Sequence, residues 1–185
     1  MNNGKVRLAL GTHNHQPVGN FAGVMEEAYE RCYAPFLNIL DEHPTIRMAI
    51  HHSGCLLEWI ETHRPEYIDR LGKLVDCGQL EVLGGGFYEP ILSSIPRDDA
   101  LEQLARMNEW ARKRLGATVR GIWLTERIWE PGLPVLLREA GIEYTIVDES
   151  HFRLAGIQGK NGRLLQHRTM GRYHGDVPHR QGVAL

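Results

Sequence analysis

Short runs of apolar residues alternate along the chain with longer segments in which apolar positions recur every three or four residues. The short runs predict buried β-strands, and the periodic segments predict amphipathic α-helices. The predicted strands are 6–10, 46–50, 80–83, 119–124 and 144–147. The predicted helices are 21–40, a helix from 53 or 54 to 60, 65–75, 97–115 and 131–140. Such alternation is typical of a parallel sheet with crossover helices.

Five strand–helix units fit either an open doubly wound sheet or part of a (β/α) barrel. A complete eight-unit barrel takes roughly 250 residues, and the chain has 185. From residue 164 onward the sequence has no helical or strand period and is rich in His, Arg and Gly. We therefore predict an α/β domain over residues 1–163, followed by an irregular tail over residues 164–185 with little stable structure.

Composition excludes several classes of protein. The chain is 42% hydrophobic and 24% charged, as expected for a globular domain, and its net charge of -2 argues against a nucleic-acid partner. No apolar run reaches the roughly 18 residues of a membrane helix, and no signal-peptide pattern is present, so we expect a cytoplasmic protein. Cys32, Cys55 and Cys77 form no CxxC pair and are predicted to be buried or inert thiols.

Polar or glycine-rich residues follow all five predicted strands. They occupy residues 12–17, 51–53, 84–90, 125–131 and 148–151. In parallel α/β folds, ligands bind at the carboxyl ends of the strands. Recurrence of these clusters at the same end of consecutive strands predicts one shared pocket.

His13 and His15 have the spacing of two side chains on one face of an extended segment. Two imidazoles that point the same way can hold a divalent metal. They can also bind sugar hydroxyls, because a neutral imidazole offers one donor and one acceptor. A third interpretation is that they are loop histidines that bond the backbone.

Glu126 is the strongest single candidate for chemistry. A carboxylate beside an aromatic wall and a cation can stay ionised at neutral pH, as a nucleophile must. Its structural alternative is an ion pair with Arg127. Glu89 could orient a sugar hydroxyl or cap its own loop. Trp123 and Trp129, with the neighbouring aromatic residues of the 84–90 loop, could stack on sugar rings or pack in the core.

Three segments resemble the first three sequence motifs of glycoside hydrolase family 57. They are HNHQP at 13–17, GGGFYEP at 84–90 and WLTERIWEP at 123–131. Their order and spacing are similar too, and the resemblance covers about residues 5–160. That family contains α-amylases and 4-α-glucanotransferases, and the chain looks closest to the glucanotransferase-like branch.

The resemblance implies an incomplete, seven-stranded (β/α) barrel and a retaining mechanism with two carboxylates. Glu126 maps onto the nucleophile of the third motif. The resemblance places further residues in the substrate site: His13, His15, Gln16, Glu89, Trp123 and Trp129. It implies an α-glucan or maltooligosaccharide substrate and neither a metal nor an organic cofactor.

In that family the general acid/base is an aspartate of a fourth motif, and no such motif precedes Leu185. We therefore expect an N-terminal fragment with weak or no turnover, and we hypothesise a frameshift near Arg163. One rival interpretation is a non-catalytic glucan-binding module. Another is a metal-dependent hydrolase, such as a polysaccharide deacetylase, that uses His13 and His15 but lacks a convincing third ligand.

Overall fold

Six strands form one sheet in the part of the chain described by a computed structural model, residues 9–156 and 169–172. In sheet order, which is also chain order, they are β1 (Gly11–Asn14), β2 (Met48–His52), β3 (Leu80–Gly84), β4 (Gly121–Ile122), β5 (Tyr144–Val147) and β6 (Thr169–Arg172). The first five strands run parallel and curl into half of a (β/α) barrel, as predicted. The carboxyl ends of β1 to β5 therefore lie along one rim.

Helices follow each of the five parallel strands. They are α1 (Ala22–Ala28), α2 (Ala34–Glu42), α3 (Gly54–His63), α4 (Pro65–Asp76), α5 (Arg97–Leu115), α6 (Leu133–Glu139) and α7 (Glu149–Leu154). The predicted helix 21–40 is one helical segment in which a π-helical turn, Tyr29–Tyr33, joins α1 to α2. Both tyrosines of this turn are buried. The α5 helix has the predicted bounds and ends at Gly116, whose φ of 63° closes the last turn.

The two faces of the sheet bury different residues, because successive side chains of a strand point to opposite faces. Ile50 and Val82 belong to the main core, which the helices complete. Ala49, Leu83 and Tyr144 form a second, smaller cluster on the other face. This alternation sends His51 to the second face and His52 to the helix-covered face.

The first two strands lie further along the chain than hydrophobicity predicts. Strand β1 begins at Gly11, and β2 ends at His52 rather than at Ile50. Their register pairs His13 with His51 and Asn14 with His52, so the backbone ladder continues into polar residues that bond each other. The predicted strand residues 6–8 lie outside the described residues. Strand β4 is shorter than predicted, since Leu124 leads into a 3-10 turn, Thr125–Arg127.

The prediction of an irregular tail is wrong for residues 169–172. These residues form β6, which pairs with β5 in the antiparallel direction. Backbone hydrogen bonds to the edge of β5 supply the order that an aperiodic sequence did not predict. The rest of the 164–185 segment lies outside the described residues, so the boundary at 163 and the frameshift stay predictions.

Two further expectations concern cysteines and membranes. All three cysteines are free, but Cys32 and Cys77 are exposed rather than buried, and Cys55 is partly exposed. Within the described ranges, no helix has both the length and the apolar character needed to span a membrane.

Candidate active site

Two histidines meet at the carboxyl ends of β1 and β2. His13 and His51 are register partners in the parallel sheet, and their Nδ1 atoms lie 2.8 Å apart. Their ring centroids lie 4.9 Å apart, and the ring planes differ by 25°. One of the two nitrogens donates to the other, so the bond fixes the orientation and the tautomer of both rings.

Aromatic stacking holds His13 from its other side. The Trp123 ring lies 4.4 Å from the His13 ring, with only 9° between the two planes. The backbone N–H of Trp123 donates to the Gly84 carbonyl at 2.9 Å, which ties this tryptophan to the end of β3. The His15 ring stacks on His13 more loosely, at 5.7 Å. The result is a rigid wall of rings along the rim.

Glu89 reaches this wall from the loop after β3. Its Oε1 lies 3.5 Å from His13 Nε2 and 3.7 Å from His51 Nδ1, while Oε2 contacts His15 Nδ1. The carboxylate side chain is only 5% exposed. The backbone of Glu89 has a φ of 54°, and its N–H donates to the Gly86 carbonyl in a tight turn. This turn points the carboxylate at the histidines.

The glycines before Glu89 allow this close approach. A Cβ on Gly85 would lie 2.9 Å from His51 Nε2 and 3.1 Å from the Trp123 carbonyl oxygen. Farther along the loop, the backbone carbonyl of the buried Phe87 accepts a hydrogen bond from the Gly54 N–H at 2.6 Å. The loop is thus anchored to α3, and Phe87 belongs to the core rather than to a sugar-binding surface.

Glu126 lies in the 3-10 turn that follows β4, and its side chain is exposed. Its φ is 52°, and Arg127 has the same φ, so two consecutive non-glycine residues adopt the left-handed conformation. Such residues are uncommon and cluster at functional sites. Arg127 pairs with Asp148 at 3.8 Å. Across the described ranges no cation lies within ion-pairing distance of Glu126, so the alternative of an ion pair with Arg127 is wrong.

Burial controls the charge states of His13, His51 and Glu89. It lowers the pKa of His13 to about 4, with a smaller contribution from His15, and it lowers the pKa of His51 as well. Both rings are therefore neutral near pH 7 and can each donate and accept. Burial also raises the pKa of Glu89; His15 opposes this shift, and the negative charge of Glu126 adds to it. Glu126 and Glu89 are thus close enough to interact electrostatically.

A second polar group lies on the helix-covered face. Residues 51–53 were predicted to line the shared pocket, but the alternation of side chains along β2 places His52 on this face instead. Asn14 Nδ2 donates to His52 Nε2 at 2.9 Å, and the Tyr67 hydroxyl lies 2.9 Å from the same nitrogen. Burial lowers the pKa of His52 to about 3, so the ring is neutral near pH 7, and its Nε2 accepts because Asn14 Nδ2 can only donate. The contact between Asn14 and His52 was not predicted, because it depends on the register of β1 and β2.

Gln16 and Trp129 are not brought to the cluster by contacts of their side chains. The Gln16 amide donates to the Tyr33 hydroxyl at 2.9 Å and accepts from Asn20 at 2.6 Å, so it ties the first loop to the π-helical turn. Trp129 is partly buried and packs against the main core. Their predicted substrate contacts stay predictions.

One group of side chains in the described part could hold a metal ion. The ligand atoms of His13, His15 and Glu89 all lie within 4.8 Å of one another. Glu89 would be the third ligand of such an ion, and spacing along the sequence could not identify it, because 74 residues separate it from His15.

Comparison with known proteins gives consistent results. The family model of Glycosyl hydrolase family 57 matches residues 9–172. The chain is 55% identical over 153 residues to an alpha-amylase of Pyrococcus furiosus and 53% identical over 152 residues to a 4-alpha-glucanotransferase of Thermococcus kodakarensis. These matches cover 83% and 82% of the chain but 23% of each relative.

A solved structure agrees in fold as well as in sequence. The 4-alpha-glucanotransferase from Thermococcus litoralis superimposes with a TM-score of 0.78 at 53% identity. The superposition covers 80% of this chain and 23% of that structure. The chain therefore spans about a quarter of the length of the relatives it matches.

Proposed function

The chain belongs to glycosyl hydrolase family 57, and on that premise we propose that it contributes the nucleophile side of a retaining centre that acts on α-glucans. In this proposal a Glu126 oxygen attacks C1 of a glucosyl unit, and the bond from C1 to the leaving oxygen breaks. A glycosyl ester of Glu126 results, and its glycosyl group is then transferred to water or to another sugar.

The position of Glu126 is the observation that carries this proposal. Its carboxylate follows β4 on the rim where β1 to β3 also end, within electrostatic reach of Glu89. The left-handed backbone at Glu126 costs about 1–3 kcal/mol. Such a conformation persists only where the surrounding structure requires it. An exposed carboxylate at this rim, held by a strained backbone and within electrostatic reach of Glu89, is accessible to C1 of a bound sugar.

The remaining residues bind the sugar in this proposal. The face of Trp123 that is not stacked on His13 meets the apolar C–H face of a pyranose. The neutral histidines and Glu89 bond its hydroxyl groups, since together they offer both donors and acceptors. The relatives' names, alpha-amylase and 4-alpha-glucanotransferase, support glucose polymers as the sugar class.

We assign no described residue to the general acid. Retention needs a second carboxyl group roughly 5–5.5 Å from the nucleophile, and the family resemblance gives this role to an aspartate of a fourth motif. Without proton transfer to the leaving oxygen, cleavage is slower by about 10²–10⁴-fold. We therefore expect weak turnover of maltooligosaccharides by this chain.

A fluoride leaving group tests the nucleophile separately from the acid, because fluoride departs without protonation. We expect the chain to release a burst of fluoride from α-maltosyl fluoride and to cleave maltooligosaccharides weakly. Glu126→Gln should abolish the burst. Glu130→Gln, which changes a neighbouring exposed carboxylate, serves as the matched control and should retain it.

The same variants discriminate the rival class, a non-catalytic glucan-binding module. Such a module would bind maltooligosaccharides equally well in the wild type and in Glu126→Gln and would lose binding in Trp123→Ala. It would release no burst of fluoride. Binding without a burst would therefore overturn the proposed nucleophile.

A further inference from the structure

We propose that His13, His15 and Glu89 form a binding site for a divalent cation of the zinc class, and that the cation excludes glucan from the rim. The first part rests on the geometry of this three-residue site. The second part rests on the proposed function, because it requires the same side chains to bind the sugar.

One pair of ligand atoms already has the spacing that a small cation requires, and all of them lie within 4.8 Å of one another. Zinc binds imidazole nitrogen and carboxylate oxygen at about 2.0–2.2 Å, which places two ligands of a tetrahedral ion about 3.4 Å apart. His13 Nε2 and Glu89 Oε1 are 3.5 Å apart. His15 Nδ1 contacts the other oxygen of the same carboxylate. Two imidazoles and one carboxylate are a ligand set that zinc uses in open sites.

Outer contacts orient the first ligand. A histidine that binds a metal through one nitrogen nearly always donates its other N–H to a fixed partner. His13 Nδ1 has such a partner in His51 Nδ1, at 2.8 Å, which leaves His13 Nε2 directed at Glu89. Trp123 stacks on the same ring at 4.4 Å and prevents it from turning away.

An unpaired buried oxygen is the independent sign of a ligand. Glu89 Oε1 is buried and has no hydrogen-bond partner within the described part of the chain, and its side chain is 95% shielded from solvent. A buried carboxylate oxygen without a partner is unfavourable, and a cation between this oxygen and the imidazoles would satisfy it. The His15 side chain is 45% exposed, so a cation can enter and keep water as a fourth ligand.

A calorimetric titration tests the site. The chain is first dialysed against a chelator, and zinc is then added while the heat of binding is measured. We expect one zinc ion per chain and at least a tenfold loss of affinity in both Glu89→Gln and His15→Ala. The first variant is isosteric, and the second changes a half-exposed ring, so both should fold; circular dichroism checks this. Cobalt in place of zinc should give the intense visible absorption of a tetrahedral ion.

The exposed cysteines provide the control. Cys32→Ser with Cys77→Ser changes the two exposed thiols, which lie outside the proposed site, and should leave zinc affinity unchanged. Unchanged affinity in Glu89→Gln and His15→Ala, or loss of binding in the cysteine variant, would overturn the proposed ligands.

Competition separates this proposal from the proposed function. Maltooligosaccharide binding measured in chelator tests the glucan site alone. If glucan binds in chelator, added zinc should weaken its apparent affinity at least tenfold, and unchanged affinity would refute the exclusion. If glucan does not bind in chelator, the proposed function fails, while the zinc titration still decides whether the cation site exists.

Discussion

Gly85 occupies a position where the rim leaves no room for a side chain. The Cβ of an alanine at this position would meet His51 Nε2 at 2.9 Å and the Trp123 carbonyl oxygen at 3.1 Å. His51 is completely buried, so its ring cannot swing into solvent. Gly85→Ala must therefore displace either the His51 ring, which bonds His13, or the backbone of Trp123.

The loss in the free energy of unfolding depends on which atoms the added methyl group overlaps. An extra methyl group in a tightly packed region costs about 1–3 kcal/mol. Because backbone is one of the two obstacles, we expect the upper half of that range. The displacement also separates His51 from His13, so the affinity for maltooligosaccharide should fall together with the stability.

Gly72→Ala is the matched control. Gly72 lies inside α4, and its added Cβ would meet no atom within 4 Å. Replacing glycine by alanine inside a helix stabilises it by about 0.5–1 kcal/mol. Urea unfolding followed by circular dichroism gives the two free energies of unfolding, and calorimetry gives the two affinities. The same substitution should thus change stability in opposite directions at the two positions.

A Gly85→Ala variant that is as stable as the wild type and binds maltooligosaccharide equally well would contradict this prediction. Such a result would mean that His51 and Trp123 do not approach the loop as closely as described. If instead stability falls and affinity does not, the ring wall is a structural feature rather than part of the sugar site.

Three further predictions concern protonation, backbone strain and the core. His52 has a pKa of about 3 in the folded chain against 6.5 when unfolded, so only the unfolded chain takes up a proton as pH falls through this window. The wild type should therefore lose stability relative to His52→Gln in urea unfolding between pH 6.5 and pH 4; a constant difference would count against the buried neutral ring. Glu126→Gly should be about 1 kcal/mol more stable than Glu126→Gln, because glycine adopts a φ of 52° without strain; equal melting curves would contradict the strained turn. Leu37→Ala, at a position with no exposed surface, should cost about 2–5 kcal/mol in urea unfolding, and a loss below 1 kcal/mol would show that the helix from α1 to α2 is not packed as described.

Hydrophobic periodicity predicted the order of the strands and helices, since those elements bury apolar faces. It misplaced β1 and β2, because strand limits depend on pairing between strands. Polar residues such as His13 and Asn14 continue the ladder when their partners on β2 bond them. For the same reason it missed β6, whose order depends on the edge of β5.

The residues of the candidate site were predictable as a group but not in their relationships. Clusters at strand ends and the three motifs identified His13, Glu89 and Glu126. The left-handed backbone of Glu89 and Glu126 was not predictable, because glutamate is not among the residue types that are enriched in that conformation. The support that His51 gives to His13 depends on strand register, which the sequence does not display.

The most direct test of the account is to locate the sugar on the protein after reaction with α-maltosyl fluoride. If Glu126 is the nucleophile, the mass of the protein increases by one maltosyl unit. Peptide mapping then assigns this unit to the peptide that contains Glu126, and the increase is absent from Glu126→Gln. A maltosyl unit on Glu89, or a chain that binds the sugar and remains unlabelled, would contradict the claim that Glu126 is the nucleophile.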